Sequence, residues 1–554
     1  MIKINLKYFI NSLKKIKKKL NKKLKQLIFK NNIMGSEICI CCKTNNSIST
    51  KVFTLPDKQY TKTISISNSQ EQISKYSTYN GSTIGKNKTL KFDKSTFVRM
   101  KSKNLFDEYE LKEKLGEGAF GFVYKIEQKK TQFLRAVKAI KRKHVDSNFI
   151  NEIKILKTVD HPNIIKLFDC YYDNNYYYMI EEYCSGGDLF DYLHRQKYFS
   201  EKKASIILKQ LLSAVNHLHK KKIVHRDLKP ENIVFIKTQF DSDDLFIKLI
   251  DFGTSTSTKN GNLTQEIGTI YYIAPEVFKN NYNEKADIWS IGIIFYTLIC
   301  GHPPFRGRRE DIIKIKILNY NISFPSNNFR NMSQSGINLL KKLLEPDYNK
   351  RISAEEALND EWFVKMENKV DDEIEINNLG NSICKNLEQF KNTVCLQKLI
   401  LSFLTNQTTF HDEIKRLKEE FDRIDENKDG EISKDELIKC LETIHPNGEA
   451  KIKANEIFNE IDFNHDGTIN FSEYLTLTME KEKLINEDML KKTFKLFDID
   501  GNGYITIDEL KEIMPLDLIN NSGWLDLVKE VDQDGDCQIS YNEFKQMMLK
   551  VVLI

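Results

Sequence analysis

His225-Arg226-Asp227-Leu228-Lys229-Pro230-Glu231-Asn232 decides how this 554-residue chain is read. Asp227 is placed to accept a hydroxyl proton, and Asn232, five residues on, to hold a magnesium ion. Phosphoryl transfer asks little covalent help of a protein. It asks for positioning and neutralised charge. A second metal-binding group, the carboxylate of Asp251, stands in Asp251-Phe252-Gly253, after an apolar strand-like run. Ala274-Pro275-Glu276 closes the segment.

Upstream, Gly116-Glu117-Gly118-Ala119-Phe120-Gly121-Phe122-Val123 follows a strand pattern. Glycine lets backbone N–H groups approach polyanionic phosphates, although alone such a string is a weak signal. Lys138, in Ala136-Val137-Lys138, is positioned for the α- and β-phosphates. Glu152, inside a helical pattern, is its natural ion-pair partner. A lone Lys–Glu pair is more often a solvated surface contact. The agreement of every string, in order, sets that bland reading aside.

On these motifs residues 109–362 resemble a eukaryotic protein kinase of the serine/threonine type. The resemblance implies a bilobal α+β catalytic domain using ATP and Mg2+. It makes Asp227 the base and places Lys229 on the γ-phosphate. It carries the nucleotide pocket onto Leu115, Gly116, Gly118, Gly121, Val123, Ala136, Lys138 and the hinge residues Glu182 and Cys184. It pairs Glu276 with Arg351, and it makes Asp287 a brace for the catalytic loop. Asp188 and Glu231 match acidic positions that receive basic residues near the phosphosite. Glu181 falls at the gatekeeper position before the hinge, where a carboxylate is unusual; a one-residue misalignment is the dull alternative. Glu266 puts negative charge near Thr264 and Thr269, which would lessen the need for activation-loop phosphorylation.

From about Phe410 onward one motif recurs four times, at intervals of 37, 36 and 34 residues. Calcium takes six to eight oxygens, and a twelve-residue EF-hand loop supplies them at positions 1, 3, 5, 7, 9 and 12. Loop 425–436 offers Asp425, Asn427, Asp429, the Glu431 carbonyl and Glu436. Loop 462–473 offers Asp462, Asn464, Asp466, the Thr468 carbonyl and Glu473. Loop 498–509 offers Asp498, Asp500, Asn502, the Tyr504 carbonyl and Glu509. Loop 532–543 offers Asp532, Asp534, Asp536, the Gln538 carbonyl and Glu543. Isoleucine at position 8 (Ile432, Ile469, Ile505, Ile539) predicts side-by-side pairing into two lobes of an all-α domain. Position 6 needs positive φ, which Gly430, Gly467 and Gly503 supply and Cys537 does not. The fourth site is therefore expected to be weakened.

The whole order resembles the calcium-dependent protein kinases of plants and protozoa. That implies a catalytic domain, an autoinhibitory junction over 366–409, and a calmodulin-like domain over 410–554 that grips the junction when Ca2+ binds. Leu387, Phe390, Val394, Leu399 and Phe403 would share one face of a junction helix and be the grip points. A rival reading, a calcium-dependent scaffold without turnover, is disfavoured because Lys138, Asp227 and Asp251 are all present; a kinase whose EF-hands are constitutively occupied stays open.

Charge is uneven. The net +6 hides 11 lysines and no acid in residues 1–30, so the remainder carries a net −5. That argues for a tail meeting a membrane or acidic partners, and no nucleic-acid partner is expected. Residues 1–33 place apolar residues at helical spacing between lysines, as a basic amphipathic extension or a solvated tail. Within 34–105, Met34-Gly35-Ser36 resembles an acylated start, with Gly35, Cys39, Cys41 and Cys42 as lipidation candidates, followed by a flexible linker. Scattered cysteines argue for a reducing compartment. The expectation is a cytoplasmic, peripherally membrane-associated protein acting on protein Ser/Thr near basic residues. Its longest apolar run, Ile291–Cys300, is half a membrane span and reads as a core helix.

Overall fold

The computed structural model describes residues 91–117, 121–142, 147–237, 245–320, 322–325, 329, 332–366, 372–391 (backbone alone for 372–378 and 389), 393–407, 411–445, 448–514, 516 and 521–550. The basic extension, the four lipidation candidates and Gly118 lie outside them.

A six-stranded sheet forms the small lobe: β1 (Met100–Lys101), β2 (Tyr109–Glu117), β3 (Gly121–Gln128), β4 (Leu134–Lys141), β5 (Leu167–Tyr172) and β6 (Tyr176–Glu182). Its order is β1-β5-β6-β4-β3-β2, antiparallel except for the β1–β5 pair. Helix α1 (Ser147–Thr158) turns Phe149, Glu152, Ile153, Ile155 and Leu156 inward, the spacing of one helical face. The large lobe is built on α2 (Glu201–Lys220) and α3 (Lys285–Cys300). Ser200 caps the first by accepting a hydrogen bond from Lys203 N, and Gly301, at φ 76°, ends the second. The run Ile291–Cys300 is the inner half of α3, buried but for Cys300.

Residues 91–105, read from sequence as the end of a linker, are ordered structure. Phe92 and Phe97 are buried in the regulatory core, with Phe92 stacked on Phe463 at 4.5 Å. Met100–Lys101 then adds the parallel edge strand to the kinase sheet. Serine- and lysine-rich composition hid two aromatic anchors.

The junction also departs from expectation. Two helices, α4 (Asp372–Lys391) and α5 (Cys395–Gln407), replace one continuous face. Thr393 N turns back to Phe390 O, and Gln397 Oε1 accepts Val394 N at 2.6 Å, which restarts the helix. Leu387, Phe390, Leu399 and Phe403 are nevertheless buried in the regulatory core, and Val394 packs partly buried against it.

Among the described residues that core is shared with helices α6 (His411–Ile424), α7 (Lys434–Glu442), α8 (Glu449–Ile461), α9 (Phe471–Thr478), α10 (Glu487–Phe497), α11 (Ile507–Ile513), α12 (Asn521–Lys529) and α13 (Tyr541–Leu549), and with the single turn Lys481–Leu484 between α9 and α10. Each of the four loops ends in a capping box: Ser433/Glu436, Asn470/Glu473, Thr506/Glu509 and Ser540/Glu543. Positions 9 and 12 therefore start the exiting helix as well as lining the loop, worth about 1 kcal/mol per cap.

Candidate active site and calcium loops

The catalytic cleft is assembled. Lys138 Nζ lies 2.7 Å from Glu152 Oε1 and 2.9 Å from Asp251 Oδ1. Burial would lower the Lys138 ammonium, but Glu152 and Asp251 reverse this and raise it. Lys138 in turn holds the Asp251 carboxyl below its usual range. Asp251 sits at φ 62°, with Phe252 fully buried beneath it. A Cβ on Gly253 would come within 3.4 Å of Asp251 Oδ1.

Asp227 is held from two sides. Its Oδ2 accepts Lys229 Nζ at 2.6 Å, and its Oδ1 accepts the Thr269 N–H at 2.9 Å and the Thr269 hydroxyl at 2.7 Å. Lys229 Nζ also reaches Thr269 Oγ1 at 3.0 Å. Asn232 Nδ2 donates to Asp227 O at 2.8 Å, which leaves its carbonyl oxygen as a donor for a metal. Asn232 and Asp251 thus fit a hard cation that prefers oxygen. Asp287 accepts the His225 and Arg226 N–H groups, each at 2.9 Å, and Arg351 pairs with Glu276 at 2.5 and 3.0 Å in the core. Thr269 completes the clasp between Asp227 and Lys229.

Leu115 and Gly116 lie near the end of β2, Val123 and Ala136 lie on the paired strands β3 and β4, and Glu182 ends β6 with Cys184 two residues beyond it. A Cβ on Gly116 would meet open space, whereas on Gly121 it would lie 1.9 Å from Ala139 O. Gly121 is therefore glycine for sheet packing as well. The register pairs Lys138 with Met179 and Ala136 with Glu181, so Glu181 shares the Lys138 face. Burial pushes Glu181 up to about 8, with Lys138 opposing. Glu182 points the other way: burial would raise it, but Lys248 at 2.8 Å and His411 hold it below the carboxylate range.

Two acidic residues take other partners than sequence suggests. Glu266 pairs with Lys314 at 3.0 Å, while Arg226 donates to Thr254 O and Gln265 Oε1. Glu266 is thus turned to Lys314 rather than to Arg226. Asp188 caps a helix by accepting Asp191 N at 2.7 Å, while Glu231 stays exposed.

The four loops share one internal scaffold. Position 1 accepts the position-6 N–H in each: Asp425 from Gly430 (2.8 Å), Asp462 from Gly467 (3.1 Å), Asp498 from Gly503 (3.0 Å) and Asp532 from Cys537 (2.8 Å). Asn427, Asn464, Asp500 and Asp534 each accept the position-5 N–H, from Asp429, Asp466, Asn502 and Asp536. Position 8 pairs Ile432 with Ile469 and Ile505 with Ile539, making two lobes. Asp498, Asp500 and Glu509, and likewise Asp532, Asp534 and Asp536, bring ligand oxygens within 4.8 Å of one another. Burial pushes Asp425 up to about 7, and Asp498 Oδ1 is buried without a hydrogen-bond partner. A divalent cation with oxygen preference fits such a donor set.

Position 4 is also left-handed, at Lys428, His465, Gly501 and Gly535. The fourth loop takes its non-glycine at position 6 (Cys537, φ 63°), while the first two take theirs at position 4. Only the third loop has glycine at both.

The catalytic geometry and the paired loops define a protein kinase fused to a helical calcium sensor. The protein kinase domain family model matches residues 109–363, and the EF-hand domain pair model matches 414–479 and 487–549. The chain is 39% identical over 454 residues to calcium-dependent protein kinase 4 of Plasmodium berghei (strain Anka), covering 79% of this chain and 85% of that protein. It is 35% identical over 479 residues to calcium-dependent protein kinase 5 of Plasmodium falciparum (isolate 3D7), covering 83% and 82%. The chain belongs to the calcium-dependent protein kinase family. It is a calcium-activated serine/threonine kinase that uses ATP, Mg2+ and Ca2+. Among the described residues no helix is long and apolar enough to cross a membrane.

Proposed function

We propose that Asp227 takes the substrate hydroxyl proton while Lys229 and Lys138 meet the phosphates, with Glu152 orienting Lys138. Asn232 and Asp251 would hold Mg2+, which neutralises charge on the transferring phosphoryl group when bound. Leu115, Gly116, Gly118, Gly121, Val123, Ala136, Glu182 and Cys184 would line the nucleotide pocket. At rest, the junction within 366–409 occludes or deforms the cleft, and Ca2+ transfers its apolar residues to the regulatory domain. The observation that supports this is a coincidence of two states. Leu387, Phe390, Leu399 and Phe403 are buried in the regulatory core while Lys138, Glu152 and Asp251 are in contact.

Substrates carry Ser or Thr near basic residues, a preference that exposed Glu231 supports. The N-terminus attaches the enzyme to a membrane surface from the cytoplasm: with a start at Met34, through acylation at Gly35 and at Cys39, Cys41 or Cys42; with a start at Met1, through the basic extension together with those cysteines. Sedimentation with anionic vesicles, before and after removal of 1–42, tests that attachment.

The full chain, assayed on a basic serine peptide with calcium and with excess chelator, tests the switch. Activity in calcium alone is the expected result, and Asp227→Asn should remove it by a factor on the order of 10³ or more. Equal activity with chelator would sink the autoinhibitory reading and leave the kinase.

A further inference from the structure

The loop of hand 1 does not face solvent. Asn216 Nδ2, on the last turn of α2, donates to Lys428 O at 2.6 Å. His217 Nδ1 bonds to Asp429 O at 2.9 Å; a carbonyl only accepts, so this nitrogen carries the proton. Lys221 Nζ pairs with Glu431 at 2.6 Å. A Cβ on Gly430 would stand 2.8 Å from His217 Nδ1 and 3.0 Å from His161 Cδ2. A Cβ on Gly467 or Gly503, at the same place in hands 2 and 3, would meet nothing within 4 Å. His161 is itself fixed, with Nδ1 accepting Asn163 N at 3.0 Å and Nε2 at 2.9 Å from Ser213 Oγ.

These contacts touch positions 4 to 7 of the loop, and two of them reach backbone carbonyls. Such carbonyls turn with the backbone when a loop wraps a cation, so the surface reads loop conformation rather than side-chain identity. Glu431 joins both systems: its carbonyl is the position-7 donor and its side chain holds Lys221. The same end of α2 leads into the catalytic loop, for His219 Nε2 lies 3.0 Å from Asp287 Oδ2, the oxygen that accepts His225 N.

We propose that Asn216, His217 and Lys221, over the His161 ring, form the kinase domain's receptor for the calcium-shaped loop of hand 1. Docking and calcium binding at that hand are then reciprocally linked, each raising the other's affinity by the same factor. Among the described residues hand 3 meets the kinase domain elsewhere, where Lys130 Nζ donates to Asp498 O at 2.8 Å, and hand 2 reaches this surface only through Thr468, which donates to Glu431 at 3.2 Å. The proposal rests on reading 425–436 as a calcium loop.

Calorimetric titration of the full chain with calcium, together with deuterium uptake over 213–222, tests it. In Asn216→Ala/Lys221→Glu one site should weaken about tenfold, within the 5–150-fold range of site coupling, and the others should hold. Calcium should protect 213–222 in the wild type and not in the variant. The swap Lys221→Glu/Glu431→Lys should restore both readings, which keeps the test sound if the first variant melts early in chelator. An isotherm within about twofold of wild type and retained protection would overturn the receptor. Glu436→Gln separates the underlying reading: a wild-type count of binding events there would mean hand 1 is not a calcium site at all.

Discussion

Hands 1 and 4 have nearly the same donor set and opposite surroundings. In hand 1, Asp425 is 2% exposed and the loop lies against α2 of the kinase. In hand 4, Asp534, Asp536 and Cys537 are exposed, and Gly535 has open space around it. Spacing of carboxylates therefore says where calcium goes and nothing about who notices it. The docked face differs from the open one in the kinase as well. Glu182 faces His411 of α6 and is ion-paired, while its neighbour Glu181 faces the cleft.

Removing the twelfth ligand should break the comparison most visibly. Glu436→Gln in hand 1 and Glu543→Gln in hand 4 each replace a bidentate carboxylate by a neutral amide with one ligand oxygen. Site affinity should fall by at least the roughly 10–100-fold that outer-shell losses cost. The calcium needed for half-maximal peptide phosphorylation should rise about tenfold or more for Glu436→Gln and less than about threefold for Glu543→Gln. Equal shifts would mean that the α2 contact transmits nothing.

Alanine at position 6 sharpens the same contrast. Gly430 and Gly503 have φ of 82° and 90°, so each Ala substitution carries roughly 1–2 kcal/mol of backbone strain. Only Gly430→Ala also collides with His217 and His161. Calcium-induced protection of 213–222 should vanish in Gly430→Ala and persist in Gly503→Ala, both at saturating calcium. Loss in both would place the cause in backbone strain.

Cys537→Gly is a gain-of-function counterpart. It removes left-handed strain of about 1–2 kcal/mol, offset by about 0.4–1 kcal/mol of added chain freedom. The fourth site should tighten roughly two- to fivefold. Hands 1 and 2, with Lys428 and His465 at φ 55° and 54°, carry comparable strain two residues earlier in the loop. The weak-hand expectation therefore holds against hand 3 alone, and a hand 4 already as tight as hand 3 would refute it.

The catalytic strings and the loops were legible because their chemistry fixes residue type at fixed spacing. Lys138, Glu152 and Asp251 meet in space although they lie far apart in the chain, and the capping boxes restate positions 9 and 12. Docking was not legible. Asn216, His217 and Lys221 read as the end of an amphipathic helix, and nothing local says what their partner is. Arg135 and Lys166 were equally silent: they reach Gln407 O at 2.6 Å and Thr405 O at 3.4 Å, supplying cations to the end of α5, whose own last turn has none. Phe92 and Phe97 were lost in polar sequence because two aromatics make no period.

The smallest expected effect concerns the adjacent pair on β6. Burial pushes Glu181 up to about 8 from an unfolded value near 4.5, so the folded state binds the proton more tightly than the unfolded chain. Its contribution to stability is present below about pH 4.5 and declines as pH rises towards 8. Glu181→Gln removes that slope, because an amide does not titrate. The variant's Tm should match wild type near pH 5 and exceed it near pH 8, by no more than about 2–4 °C. Glu182 has the opposite sign, since Lys248 and His411 hold its carboxyl low, and its contribution is lost only in acid. A Tm difference for Glu181→Gln that stayed constant from pH 5 to 8.5 would mean the Glu181 carboxylate ionises as freely as one in water, and the cleft face would then be no harsher an environment than the open one.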